Sequence, residues 1–376
     1  MLSLRLANDD WQNLRALASN PRPPIPNFPI AMRQLLNTLY VTTAPSYLRL
    51  ERETVRMEVE GDKEAQIPLH HLGAIVCFGN VLVSPALIGR CGEDGRAVVF
   101  LTRTGRFRGR VVGPQTGNVL LRKAQFEQAA CPEQAVGHAR QMVAGKVQNS
   151  RRVLVRAARE ASGEGDAERL DEAAGALASV VRRLEKNESA DTETVRGLEG
   201  EAARHYFAAF GAMVKREPGA FAMSGRSRRP PRDRVNAVLS FLYTMLLNDC
   251  AAAAEGVGLD PQVGFLHTER PGRPALGLDL MEELRAYLAD RLALTLVNRR
   301  QLSPGDFRER DGGAVLLDED GRKTVVTAYQ ERKKEKITHP LLDQQMELGL
   351  LPHTQARLLA RTLRGDMDAY LPFLLQ

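Results

Sequence analysis

The chain has 376 residues, 43% apolar and 26% charged, enough for a sizeable core and for more than one domain. No run of about 18 apolar residues suggests a membrane span, and no basic stretch followed by an apolar one suggests export, so a cytoplasmic location is expected. Lys and Arg number 52 against 46 Asp and Glu, and this net charge of +6 permits a polyanionic partner without requiring one.

Residues 1–31 contain PRPPIPNFP at 21–29, a composition that suits an extended linker. Met32 then opens the more structured MRQLLNTLYVTT. Residues 1–31 are therefore expected to be a disordered leader, or Met32 to be the true start. Residues 32–117 read as a small β-domain. Residues 54–59 alternate polar and apolar with period two, while 74–78 and 97–101 are short apolar runs that suit buried strands. Glycines at 61, 73, 79, 95 and 105 punctuate them. Gly105-Arg106-Phe107-Arg108-Gly109 lacks phosphate-loop spacing and is expected in a hairpin. The cysteines Cys77, Cys91, Cys131 and Cys250 have neither CxxC nor zinc-finger spacing and read as unpaired thiols of a reducing compartment.

Residues 118–376 read as mainly helical. Val136, Ala139, Val143, Val147, Leu154 and Ala158 recur near the helical period across 133–160. A charged helix follows at 166–186, then one capped by Thr192 or Thr194 that runs past Tyr206. Segments 236–250 and 278–297 read as long core helices. A short hairpin is expected from 314–317 and 323–326 around Asp318-Glu319-Asp320-Gly321. Helix is expected again at 330–348 and 354–363. The class is α+β, a small β-domain followed by a larger helical one.

Two basic runs are candidate phosphate contacts, with a solvated loop as the alternative for each. RSRRPPRDR at 226–234 carries Arg226, Arg228, Arg229, Arg232 and Arg234, and Pro230 and Pro231 keep it from being helix. Arg332-Lys333-Lys334-Glu335-Lys336 is the second run.

The sequence has no Walker A loop, HExxH, GxSxG or PCxxC. What remains is a set of carboxylates and a histidine. Asp279 and Glu282 are three residues apart and share a helix face, which two negative charges keep from full burial unless a cation compensates them. His267 precedes that helix on a loop. Glu199 lies between Gly197 and Gly200 in VRGLEGEAARHYF, and close approach of another backbone or a ligand is a reason to tolerate glycine in a helix. A hydrogen-bonded core histidine, a solvated acidic face and an ordinary surface glutamate are the plain alternatives, and these residues alone leave them open.

GLEGEAARHYF, NAVLSFLYTMLL at 236–247 and GLDPQVGFLHTERPGRPALGLDLMEELR resemble the signature blocks of the CRISPR-associated spacer-acquisition integrases, the first family of the numbered Cas series. MRQLLNTLYVTT, PLHHLGAIVCFGNVLVSPALI, GNVLLRKAQF, AGKVQNSRRVL and QARLLARTLRGDMDAYLPF extend the likeness over 32–376, toward members that accompany type I, subtype C-like systems.

The resemblance implies a β-sandwich-like N-terminal domain, an α-helical catalytic domain and a homodimer. It implies metal ligation by Glu199, His267 and Glu282, with Asp279 as supporting or alternate ligand. Oxygen-rich ligation with one imidazole suits Mg2+ or Mn2+ better than zinc. The implied activity is that of a metal-dependent DNA endonuclease and integrase, in which a DNA 3′-hydroxyl attacks a phosphodiester of the repeat array. The implied partners are double-stranded DNA, a small second Cas-series protein that bridges two dimers, and a DNA-trimming nuclease of the same locus. Asn236, Ser240 and Tyr243 are further candidates for positioning DNA, Tyr243 equally as a core aromatic. The ending Tyr370-Leu371-Pro372-Phe373 departs from a more usual double proline and is not expected to bear on activity. A structure-selective repair nuclease and a non-catalytic DNA-binding scaffold are the competing readings.

Overall fold

The computed structural model describes residues 37–375, apart from 42, 44, 60–61, 104–106, 112, 114–118, 162, 187–190 and 217–218. The leader expected at 1–31 lies outside the described residues, as does the tip of the hairpin around Gly105.

The first half of the fold is two four-stranded sheets. In one, β2 (Ser46–Glu51), β3 (Thr54–Val59) and β4 (Asp62–Pro68) are antiparallel, and β6 (Val81–Val83) runs parallel to β2 at the edge. In the other, β1 (Asn37–Val41), β5 (Leu72–Phe78) and β7 (Ala97–Leu101) are parallel, and β8 (Phe107–Val111) closes the edge antiparallel to β7. Alternate residues of β5 and β7 serve different cores, as period two requires. Ile75, Cys77 and Val98 pack with Leu48 and Val55 of the first sheet, whereas Val76, Phe78, Val99 and Leu101 join the core of the helical half. Phe78 stacks on Phe241 with ring centroids 5.6 Å apart. Burial on both faces explains why these strands read as unbroken apolar runs. A helix unforeseen in the sequence, α1 (Pro85–Glu93), interrupts the strands. Ser84 caps it by accepting from Leu87 N, and Pro85 sits in its first turn.

The second half is built around α3 (Pro132–Arg159). It follows α2 (Val119–Ala130) and packs against α4 (Glu164–Lys186) and α5 (Thr192–Phe210). Next come α6 (Arg234–Gly256) and α7 (Ala275–Glu282), which lie against each other. The 23-residue α6 is long and apolar enough to cross a membrane by length and composition alone, but most of it is buried inside the fold. Here it is a core helix with Val238, Leu239, Leu242 and Leu246 fully buried.

Four expectations are corrected. The cap of α5 is Asp191, whose Oδ1 accepts from Thr194 N at 2.7 Å, and not Thr192 or Thr194. The long helix expected at 278–297 breaks into α7, one stretch of π-helix (Arg285–Asp290) and α8 (Arg291–Asn298). Only 314–317 of the expected hairpin is strand. It forms β10 (Ala314–Leu317) against β9 (Phe307–Arg310), while 323–326 lie inside α9 (Glu319–Lys334), with Asp318 as N-cap. Helix does not continue to 348, because β11 (Lys336–His339) and β12 (Gln344–Glu347) form a hairpin before α10 (Leu351–Leu363).

The described chain ends inside the core. The Tyr370 hydroxyl donates to Glu283 Oε1, and Phe373 N donates to Glu283 Oε2 at 2.8 Å. The Asn149 amide donates to the carbonyls of Glu283 and Phe373, and its Oδ1 accepts from Leu375 N. Burial pushes the Glu283 carboxyl up to about 7, against these donors.

Candidate active site

Four segments bring the expected residues together. Glu199 comes from α5, His267 from the loop before α7, Asp279 and Glu282 from α7, and α3 adds Lys146. The loop is fixed from both sides. Arg196, one turn before Glu199, donates to the Leu266 carbonyl at 2.8 and 2.6 Å and to Thr268 Oγ1 at 3.0 Å. Asp279 is fully buried. It accepts from the amides of Phe265, Leu266 and His267 at 2.6, 3.0 and 3.0 Å, so its charge is spread over main-chain donors. A Cβ at residue 264 would come within 2.6 Å of Asp279 Oδ2, so Gly264 is what allows the loop to close on the carboxylate.

Asp279 Oδ1 is also 2.7 Å from His267 Nδ1. With Nδ1–H donated there, Nε2 is left as the free nitrogen, and it faces Glu282 Oε1 at 3.8 Å. Glu282 is buried. Burial alone would push its carboxyl up, but the Arg285 guanidinium and the Lys146 ammonium outweigh burial and hold it at about 2. Arg285 stands 3.0 Å from Glu282 Oε1. Lys146 stands 2.7 Å from Glu282 Oε2 and also pairs with Glu199. Two carboxylates from different helices thus converge on one cationic group beside an imidazole, a donor set that fits a hard divalent cation. Among the described residues, no three His, Cys, Asp or Glu stand close enough together to form a metal cluster as they are.

Behind the site lies a small cavity that Lys146 shares with Ser150, Tyr206, Tyr243, Arg285 and Asp290. Tyr243 is a structural aromatic. Its hydroxyl donates to Asp290 at 2.7 Å, and the guanidinium carbons of Arg226 and Arg285 stand over its ring, 5.2 and 4.8 Å from the centroid.

The structure separates the arginines of the first basic run. Arg226 donates to Asn236 Oδ1 at 2.6 Å and Ser240 Oγ at 3.1 Å, Arg232 to the Gly312 carbonyl, and Arg234 to the Ala220 carbonyl at 2.8 Å. These contacts give Arg226, Arg232 and Arg234 work within the fold. Asn236 is fully buried and donates to the Gly225 carbonyl, which makes it part of the same loop scaffold. Arg228 and Arg229 are exposed. The guanidinium of Arg273 is pushed down by partial burial and by Arg270, Arg229 and Arg196, so basic charge collects on the His267 side of the site. In the second run, Arg332 pairs with Glu335, Lys333 with Asp249 and Lys334 with Glu331.

Sequence reasoning missed Lys146, Arg285 and Asp290. A lysine among the several basic residues of α3 gave no signal, although Arg285 repeats the three-residue spacing from Glu282. No other backbone approaches Gly197 or Gly200, since a Cβ at either would meet nothing within 4 Å. The glycines that matter are Gly264 and Gly145, where a Cβ would meet Pro372 Cβ at 2.6 Å and Glu283 Cβ at 3.2 Å.

A family model described as CRISPR associated protein Cas1 matches residues 39–331. The chain is 56% identical over 343 residues to a CRISPR-associated endonuclease Cas1 of Moorella thermoacetica, which covers 91% of this chain and 99% of that protein. It is 34% identical over 366 residues to a CRISPR-associated exonuclease Cas4/endonuclease Cas1 fusion of Geobacter sulfurreducens, covering 96% of this chain and 64% of the fusion. The fold is similar to a Cas1 protein of Thermotoga maritima, with a TM-score of 0.74 and 23% identity over 88% of this chain and 97% of that one. It is also similar to part of a Cas6-RT-Cas1–Cas2 complex, with a TM-score of 0.76 and 22% identity over 95% of this chain and 38% of that one. The chain belongs to the Cas1 family of CRISPR-associated proteins.

Proposed function

We propose that this protein is a CRISPR-associated DNA endonuclease and integrase that inserts short foreign DNA spacers into a repeat array, using a divalent cation held by Glu199, His267 and Glu282. The observation that carries the site is the convergence of Glu199 and Glu282 on one cationic group beside His267. Mg2+ or Mn2+ fits this donor set best. When bound, the cation supplies Lewis acidity to the phosphoryl oxygen and lowers the pKa of the attacking hydroxyl or water.

The chain's own residues do the rest. Asp279 fixes the His267 tautomer and so presents Nε2 to the site. Arg285 holds the Glu282 carboxylate in place. Arg228, Arg229, Arg270 and Arg273 offer phosphate contacts that orient the duplex. One P–O bond forms as another breaks and the 3′-oxygen of the cut strand leaves, so no redox partner and no covalent protein nucleophile is needed.

The reading includes a cytoplasmic protein, a homodimer, a small bridging partner from the Cas series and a trimming nuclease of the same locus, in a type I, subtype C-like setting. The Cas2-containing complex and the Cas4 fusion among the similar proteins support the two partner classes. Exposed Tyr47 and Leu82, opposite each other on β2 and β6, support a surface for a second copy. Catalysis belongs to 118–376, where every proposed ligand lies, with 32–117 as the N-terminal β-domain.

The test is strand transfer. A labelled duplex with free 3′-hydroxyls, a repeat-bearing supercoiled plasmid, Mn2+ and the small partner are mixed with wild type, Glu199→Ala or His267→Ala. Joining by wild type alone is expected, with both variants folded and inactive. Normal joining by both variants would remove the site assignment. Nicking of branched DNA without joining would favour a repair nuclease, and intact DNA binding with no chemistry a scaffold.

A further inference from the structure

Lys146 lies on α3, and its ammonium is the group on which the two carboxylates meet. The Lys146 side chain is 10% exposed and that of Glu282 3%. A buried ammonium needs anionic partners and a buried carboxylate needs a cation, and here each serves the other. Glu282 Oε2 makes no hydrogen bond of regular geometry among the described residues; what stands against it is this ammonium. The pair is therefore neutralised by the protein itself. A divalent cation held by both carboxylates would compete for the same oxygens with Lys146 Nζ, which stands 2.7 Å from Glu282 Oε2 and pairs with Glu199.

We propose that Lys146 is the resident cation of this site and that it and the divalent metal are mutually exclusive partners of Glu199 and Glu282. Loading the metal is then an exchange, in which the ammonium leaves the carboxylates as the ion arrives. The lysine lines a cavity together with Asp290, so a third carboxylate is at hand for the displaced charge. The exchange keeps the two acidic helices together before metal binds and sets a threshold of free metal below which the site stays closed. The proposal rests on the reading of Glu199, His267 and Glu282 as ligands.

Mn2+ binding to the purified full chain, followed by calorimetry and by the paramagnetic signal of the bound ion, tests it together with thermal unfolding in the absence and presence of Mn2+. Lys146→Met is expected to bind Mn2+ at least tenfold more tightly than wild type. It should also unfold at a lower temperature without metal and show a larger rise in Tm with it. Lys146→Arg, which keeps the charge, should not gain affinity. Should Lys146→Met fold only in the presence of Mn2+, exchange is supported; should it not fold at all, Lys146→Gln takes its place in the same titration. Affinity equal to or weaker than wild type in the neutral variant would overturn the proposal while leaving the ligands in place. Glu199→Gln separates the two ideas. If it leaves Mn2+ binding unchanged in both the wild-type and the Lys146→Met background, the metal lies elsewhere, and the ligand reading and the exchange fall together.

Discussion

Burial pushes the Asp290 carboxyl up to about 6, while hydroxyls of Tyr243 and Tyr206 and guanidiniums of Arg285 and Arg226 hold it down. A carboxyl raised above its unfolded value of 3.8 binds its proton more tightly in the folded state. Its contribution to stability is then complete below about pH 4 and is lost as pH rises through 6. Glu282, held at about 2, has the opposite slope, and its contribution fades as pH falls from 4.5 toward 2. Urea unfolding of Asp290→Asn should lack the first slope. The difference in unfolding free energy between wild type and variant should change by about 2 kcal/mol between pH 4 and 6; parallel curves would show that Asp290 does not titrate in this window. At this scale the sequence made Glu199, His267, Asp279 and Glu282 legible through acidic spacing and family blocks. Lys146 was not legible, because an ammonium becomes informative only once two carboxylates from distant segments are seen to meet on it.

Helix ends and strand partners were the least readable elements. Asp318-Glu319-Asp320-Gly321 has the composition of a hairpin turn, yet Asp318 is an N-cap whose Oδ1 accepts from Gly321 N at 2.8 Å. Cap and turn draw on the same short polar residues, so local composition cannot separate them; the β9 partner of β10 decides. Asp318→Ala should lower stability by about 1 kcal/mol, with faster amide exchange confined to the first turn of α9. An unchanged exchange pattern would mean that the cap contributes nothing. The break of 278–297 into α7, π-helix and α8 is of the same kind. Its apolar period continues through the break, while the π-helix places Arg285 against Glu282 and brings Asp290 to the tyrosines.

In the whole molecule, the order β-half then helical half was legible from the change of period, whereas the sharing of one sheet between two cores was not. Alternation along β5 and β7 was hidden because both faces are apolar. Phe78 faces the helical core against Phe241, although it lies in the β-half. Phe78→Ala should cost about 3–5 kcal/mol and lower the stability of the helical half together with the sheets, in one calorimetric transition. Two transitions, with only the first displaced, would show that the halves unfold independently.

The tie between Glu283, Asn149 and residues 370–375 also has a consequence in time. Glu283 adjoins Glu282, and Asn149 lies one turn beyond Lys146 on α3. The wall behind the site is thus completed by the segment synthesised after all the others that build it. Glu283 and Asn149 thus find these partners only once residues 370–375 have been made.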